Sequence, residues 1–444
     1  MWKIFSTLAI FGGILHKAIF GAPGGDKSPP QVWQEAAESC GLQVVEAATS
    51  LLKARAGAVE VRIEVSQETS QTRIVVEPAL PDFGHMMIRP EPLLQFDQEI
   101  EIGDAHFDTT FLVIGPTRLV FALLDAEVRR LLLAVNAAGR LELSYGELQV
   151  ALSDEKVPEV LPLLLEIGRR FLPPLNIPQR LAGNAGKDPE AGVRFKNLLL
   201  LVREFPNHPE TAEALRKACS DPSPEIRLRA AKEMGAEGRG ILLELAANLE
   251  DDAVSAEAVS TLGRELPFER TRAILGQALS LYHVRTARAC LEALGHSGAA
   301  TAVNALVEVL ALENIELAIA AAQALGATES PAAEPSLISA LHREQVDLRV
   351  AAADALGRVG SVAAVPPLKE AAESSRLDLK LRRAARQAIA EIKSRVQGAS
   401  PGQLSLAGAE AGQLSLTEAE AGQLSLATDP AGQLSLSSDE EAVP

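Results

Sequence analysis

The sequence predicts a mainly α protein: an α-solenoid of stacked helix pairs, preceded by a small α+β domain and followed by a disordered C-terminal tail. Three observations carry this reading. From residue 188 onward, apolar and small residues recur at a step of close to 31 residues. Between about 31 and 180 the apolar period switches from about 3.6 to 2. Residues 397–444 repeat one short word at ten-residue spacing and hold too little apolar surface to build a core.

The start of the chain reads separately. Residues 2–20 are apolar apart from Lys3, Ser6, Thr7, two glycines, His16 and Lys17. With Lys17 reaching toward the headgroups they make a marginal span, so membrane association is expected through this segment as an anchor or interfacial helix. A helix docked on the protein's own core and a cleaved signal are the alternatives. Residues 21–30, rich in Gly and Pro, read as a linker.

Within 31–180 the pattern predicts a helix over Val32–Lys53 and strictly alternating strands at Val59–Val65 and Thr72–Glu77. A further strand is expected near Met86–Arg89 and another over Phe107–Ile114. A helix follows from Pro116-Thr117 through Val135, ending near Gly139. Leu141–Ser144 and Glu147–Ala151 form a hairpin around Tyr145-Gly146, and Val160–Phe171 closes the domain as an amphipathic helix. This order is similar to the small α+β fold of bacterial secretion-chaperone-like proteins, a resemblance of topology that implies no function. The chemistry-bearing cluster here is Glu99, Glu101, Asp104, His106 and Asp108. Carboxylates beside a histidine could hold a metal or act as acid and base. A turn at Gly103-Asp104, with Phe107 and Phe111 in the core, is the favoured reading, and the enzymatic one is kept as the alternative function.

In the repeats, an apolar-small pair recurs at Met234-Gly235, Leu262-Gly263, Leu294-Gly295, Leu325-Gly326, Leu356-Gly357 and Ile389-Ala390, with steps of 28, 32, 31, 31 and 33. One helical turn earlier stands a column of small residues: Ala230, Ala258, Cys290, Ala321, Ala352 and Ala385. A second helix in each unit carries Leu245, Leu275, Leu306, Leu337 and Leu368, with Leu249, Leu279, Leu310, Leu341 and Ala372 one turn on. The glycines are expected to be left-handed C-caps that turn the chain. Asp221 and Asp347 read as N-cap signals before first helices. With a degenerate unit at Phe195–Phe205 and Thr211–Cys219, six or seven helix pairs are expected over 188–396. One hairpin cannot bury its own apolar face, so the units must stack.

The wording Asp347-Leu-Arg-Val-Ala-Ala-Ala-Asp-Ala-Leu-Gly-Arg-Val-Gly360, followed by Ala363-Ala-Val-Pro-Pro-Leu368, resembles the HEAT repeats of bacterial proteins, the subclass also seen in phycobilisome lyases. The resemblance covers about 220–392. The unit at 252–281 departs from it, since Ser255 stands where Arg227, Arg349 and Arg382 stand elsewhere. It implies scaffolding and protein binding. HEAT-like hydroxylases hold two irons on His-Glu pairs, and none of the seven histidines here is followed by Glu. No chromophore-handling site can be located, and no cofactor is expected.

A protein partner is expected on the outer row of the second helices, at Gln277, Glu308, Ser339 and Glu370, with His342 and Glu373 one turn on; this face is concave in related folds. The basic last helix, Arg376–Val396, reads as a polar cap, with an acidic partner or the acidic tail as the alternative occupant.

In the tail, Gly-Gln-Leu-Ser-Leu occurs four times, beginning at 402, 412, 422 and 432. The leucine pairs are Leu404 and Leu406, Leu414 and Leu416, Leu424 and Leu426, and Leu434 and Leu436. They suit a multivalent peptide that adds a strand or fills two pockets of an oligomeric partner. The word also resembles the peptide by which bacterial proteins dock on the sliding clamp, without the usual terminal Phe.

The net charge of −17 divides into −6 over 1–187, −4 over 188–396 and −7 over 397–444. That balance argues against nucleic acid as a partner. The three cysteines, Cys40, Cys219 and Cys290, show no metal or disulfide spacing and point to the cytoplasm, with tethering to the inner membrane through residues 2–20.

Overall fold

The structure, a computed structural model, describes residues 30–65, 71–78, 86–90, 99–297, 301–374 and 378–395. The apolar segment 2–20 lies outside the described residues, and with it the expected anchor. So do the tail and its expected motif leucines, Leu404, Leu406, Leu414, Leu416, Leu424, Leu426, Leu434 and Leu436. Contacts divide the chain into two units, one running to Ile226 and the other beginning at Arg227.

The first unit opens with helix α1 (Gln31–Ser39), which buries Trp33, Ala36 and Ala37. The expected long helix stops there. Gly41 takes the left-handed conformation (φ +69°), and the β-branched pair Val44-Val45 enters a strand instead. Strands β1 (Gln43–Ala48) and β2 (Leu51–Ala56) form a hairpin with β3 (Val59–Val65) and β4 (Thr72–Pro78) beyond it. After β5 (Met87–Pro90) comes a short helix, α2 (Ala105–Asp108), and then β6 (Phe111–Ile114). Phe107 is therefore helical rather than the start of a strand, because Asp104 accepts the amide of Phe107 and caps a turn. The expected single helix over 117–139 is two: α3 (Thr117–Leu123) and α4 (Ala126–Ala138). Asp125 separates them by capping α4 through the amide of Val128 at 2.8 Å. The hairpin β7 (Arg140–Ser144) and β8 (Glu147–Leu152) turns through Tyr145 and Gly146, both at positive φ, as a two-residue primed turn requires. Helix α5 (Val157–Arg170) closes the α+β part.

The eight strands form one sheet in the order β1-β2-β3-β4-β8-β7-β5-β6. Every neighbouring pair is antiparallel. Register places Val61 opposite Val76, Ile63 opposite Ile74, and Ile74 opposite Val150. One face is thus a continuous apolar row, covered by α1, α4 and α5. The alternate residues carry charge: Arg62 lies 3.2 Å from Glu64 and 3.4 Å from Glu77. The sheet is wider than the three or four strands plus hairpin that the pattern suggested, because β1 and β2 lay hidden in a helical reading.

Three helices finish the first unit: α6 (Ile177–Lys187), α7 (Ala191–Glu204) and α8 (Pro209–Ala218). The second unit begins inside α9 (Pro224–Glu233), which α10 (Arg239–Asn248) follows. Then follow α11 (Asp252–Leu262) with α12 (Phe268–Ser280), α13 (Val284–Gly295) with α14 (Ala302–Leu310), and α15 (Ile315–Ala327) with α16 (Glu334–Ala340). The stack ends with α17 (Val346–Val359), α18 (Val365–Ser374) and the last helix α19 (Leu379–Arg395). With α7/α8 this makes six helix pairs among the described residues, the lower of the two expected counts.

The repeat columns are the core. All six small residues from Ala230 to Ala385 have no exposed surface, and Leu245, Leu275, Leu306, Leu337 and Leu368 are at most 3% exposed. The glycine column divides into two kinds. Gly235 (φ +57°) and Gly263 (φ +48°) are left-handed, as expected of C-caps. Gly295, Gly326 and Gly357 remain helical and lie against the next first helix: a Cβ on Gly326 would stand 2.9 Å from the Cα of Ala355, and one on Gly357 would stand 3.2 Å from the Cα of Ala388. These glycines permit close helix packing rather than a turn. Asp347 lies inside the first turn of α17 and makes no cap, while Asp221 accepts the amide of Ser223 at 2.8 Å and pairs with Arg194.

Candidate protein-binding groove

The first helices of the second unit, α11, α13, α15, α17 and α19, each pack directly on the next, whereas successive second helices scarcely meet. Alanines permit this: Ala293, Ala324, Ala355 and Ala388 are all buried beside the glycine column. A two-layer stack that is tight on one side and spread on the other curves toward the tight side. The inner layer is therefore that of the first helices.

Across α11, α13, α15 and the end of α17 runs a groove of about 640 Å³, with a further 170 Å³ recess beside it reaching Arg264. Its floor is alanine, at Ala253, Ala256, Ala289, Ala320, Ala324 and Ala327. Its walls are exposed polar side chains. Ser260, Glu292 and Gln323 occupy the same position in three successive units, two residues before the Leu-Gly pair. Arg285, Arg288 and Arg358 supply cations, His296 adds an imidazole, and Glu257 adds a second carboxylate. Arg288 reaches Glu316 of the next unit at 3.1 Å, so its guanidinium is held along the groove. An apolar floor that admits close approach, walled by donors and acceptors of both signs, suits a peptide or a helix face of a partner.

The groove is held in register by caps that cross between units. Asp251 caps its own helix α11, accepting the amides of Ala253 and Val254 at 2.8 and 3.0 Å. Its neighbour Asp252 caps the next first helix, accepting from the Thr286 amide and hydroxyl at 2.8 Å each and from the Arg285 amide at 3.1 Å. Burial raises the Asp252 carboxyl, but those donors and the nearby His283 outweigh it and hold the pKa below the ordinary carboxylate range. Ser255, the departure from the arginine column, is buried and donates to the Leu245 carbonyl at 3.1 Å.

Of the expected partner row, Gln277, Glu308, Ser339, Glu370 and Glu373 are exposed on second helices, and His342 is exposed in the turn after α16. The row is not the concave side, which the close packing of the first helices places on the opposite layer. The Leu columns single out the second helices and so direct a sequence reading away from the groove. The groove's own signal is the doubled alanine columns on the first helices, which only close helix packing would require.

A model of HEAT repeats matches residues 306–390. The stacked units are HEAT-like repeats. Among solved structures, the chain is similar at 19% identity to human deoxyhypusine hydroxylase, over 48% of this chain and 95% of that one, with a TM-score of 0.22. It is similar at 19% identity to the CpcE–CpcF complex of phycocyanin lyase from Nostoc sp., over 48% and 94%, with a TM-score of 0.30. Importin beta is similar at 17% identity, over 49% of this chain and 35% of that one, with a TM-score of 0.36. No curated protein matches the chain.

Outside the HEAT-like units, the carboxylate-histidine cluster is built into packing. Asp104 receives the Nε–H of Arg129 at 2.9 Å. Asp108 accepts the amides of Ile102 and Gly103 at 2.7 and 2.8 Å. His106 and Glu101 are exposed, and the described residues hold no group of three or more His, Cys, Asp or Glu placed to hold a metal. Arg129 is buried and grips Asp188 with two hydrogen bonds of 2.9 Å each, tying α4 to the turn before α7. Arg194 repeats that arrangement with Asp221 at 2.8 and 2.9 Å. The cysteines form no disulfide among the described residues, and burial pushes the Cys290 thiol up to about 12, which removes it as a nucleophile near neutral pH. Among the described residues, no helix is long and apolar enough to cross a membrane.

Proposed function

We propose that this chain is a non-catalytic scaffold or adaptor that holds a protein partner on its HEAT-like solenoid. The observation that carries this reading is the alanine-floored groove across α11, α13, α15 and α17, walled by Arg285, Arg288, Glu292, His296, Gln323 and Arg358. Its polar groups stand on helices or at a helix end, Glu292 and Gln323 at one repeat position and His296 and Arg358 at another, which gives a partner a preformed surface and spares it the cost of ordering a loop. The enzymatic alternative around Asp104, His106 and Asp108 draws no support from the geometry, since both carboxylates already serve backbone amides or Arg129.

The test is quantitative affinity capture from the native cells with the full chain. Arg288→Glu combined with Arg358→Glu should weaken recovery of the principal partner by about tenfold, as reversal of charges at an interface does. Unchanged recovery would remove the groove from the reading. Glu308→Arg with Glu370→Arg asks the same of the second-helix row. A chain ending at Gln397 asks it of the tail leucines from Leu404 and Leu406 onward, the reading in which an oligomeric partner such as a sliding clamp is bound.

A further inference from the structure

Helix α19 closes the stack, and its two faces differ sharply. The inner face buries Leu381, Ala384, Ala385, Ala388, Ile389 and Ile392. The outer face carries a shallow groove of about 460 Å³ lined by Leu379, Arg382, Arg383, Arg386 and Gln387. Residues spaced three and four apart share a helix face, so the three guanidiniums form one cationic strip that begins at Leu379. Leu379 is 73% exposed. Among the described residues none of the three arginines has an ion-pair partner, whereas some surface cations of this unit do: Arg229 pairs with Glu233 at 2.6 Å and Arg288 with Glu316 at 3.1 Å. The strip stands in a chain of net charge −17.

The complementary chemistry lies in the same chain. Residues 397–444 hold seven carboxylates and no basic residue, and their only large apolar side chains apart from Val443 are the leucine pairs. We propose that the strip on α19 is the docking site of the chain's own tail, with the segment Gly432–Glu441 (Gly-Gln-Leu-Ser-Leu-Ser-Ser-Asp-Glu-Glu) as its preferred occupant. The spacing fits. From Leu379 to Arg386 the helix rises about 10 Å at roughly 1.5 Å per residue. In an extended chain, Leu436 is separated from Asp439–Glu441 by roughly 10–17 Å at about 3.3 Å per residue. A leucine seated on Leu379 therefore delivers the three carboxylates alongside Arg383 and Arg386. A flexible chain of 36 residues, the length of the connection 396–431, spans roughly 35 Å, which exceeds the length of α19, about 25 Å. Glu418 and Glu420 follow Leu416, and Asp429 follows Leu426, so other copies can take the same place and raise the local concentration of ligand. The docked tail covers the end of the solenoid and excludes an acidic partner or a second copy from it. This inference stands apart from the groove on α11–α17 and does not depend on it.

Lys380, exposed beside the strip, provides the readout, and Lys369, exposed on α18, provides the control. A water-soluble carbodiimide joins lysine amines to carboxylates in contact, and mass spectrometry locates the links in the full chain. The expected result is that tail carboxylates couple to Lys380 well above Lys369, within single chains. Arg383→Glu with Arg386→Glu should reduce the Lys380 links to the Lys369 level. So should about 0.5 M NaCl, where the screening length is roughly 4 Å. Both arginines are exposed, so an unchanged denaturant midpoint verifies that the variant is folded. Equal coupling at the two lysines, coupling indifferent to charge reversal, or links formed only between chains would each overturn the proposal.

Discussion

A single methyl group separates two kinds of glycine in this protein. Gly326 has helical backbone, and an added Cβ would stand 2.9 Å from both Cα and Cβ of Ala355 on the next first helix. Gly235 has open space around its Cα but sits at φ +57°. Gly326→Ala must push two helices apart and is expected to cost about 1–3 kcal/mol, as overpacking does. Gly235→Ala meets only backbone strain and is expected to cost about 1 kcal/mol. Urea denaturation of the two variants measures the difference, and the order would reverse if the glycine column served only to turn the chain. In sequence the two are indistinguishable, since each follows an apolar residue at the end of a first helix. Which role each plays depends on how near the neighbouring unit comes.

Among the elements, the decisive contrast is between first and second helices. Both carry an apolar stripe, and both stripes are buried as their spacing requires. Only the first helices have alanine on two further columns, and these bring α11, α13, α15, α17 and α19 together into the inner layer. Junctions between elements were less legible. The break between α3 and α4 rests on Asp125, and the early end of α1 rests on Gly41. Each is one residue inside a pattern that otherwise continues the helical period. The link between units is likewise a single side chain. Asp252→Ala removes the cap that α11 supplies to α13 and is expected to destabilise the solenoid by about 1–2 kcal/mol. Asp251→Ala is expected to act locally on α11 at similar cost. Hydrogen exchange separates the two, because only the Asp252 variant should lose protection at Arg285 and Thr286.

At the scale of the whole molecule, the first unit is tied together by buried charge. Arg129 has 2% of its side chain exposed, and its partner Asp188 has 1%. Arg129→Ala leaves the Asp188 carboxylate buried and unpaired, with an expected cost of about 3–5 kcal/mol. Burial raises the Asp104 carboxyl, but its hydrogen bond from Arg129, the amide of Phe107 and the Arg129 charge hold it below the ordinary value. A carboxylate depressed in the folded state contributes stability above its unfolded pKa of about 3.9 and loses it as pH falls through the folded value. The native chain should therefore lose stability below about pH 4, and Asp104→Asn should flatten that limb while lowering stability at neutral pH. A variant with the same acid limb as the native chain would show that Asp104 gains nothing from its partners.

Periodicity alone determined the solenoid, its repeat length and its buried columns, because each helix pair meets only its neighbours and one pattern recurs until it cannot be mistaken. It also determined most strands of the α+β part, where strict alternation over a half-buried sheet leaves little choice of register. Tertiary structure decided the rest. The inner layer depends on how closely neighbouring helices approach, which is a distance between residues about thirty positions apart. The meaning of Asp104 depends on Arg129, twenty-five residues away, and so cannot be read from the acidic run around it. A side chain's partners are set by packing, and a carboxylate that looks catalytic in sequence can be wholly engaged by an arginine that only the fold brings near.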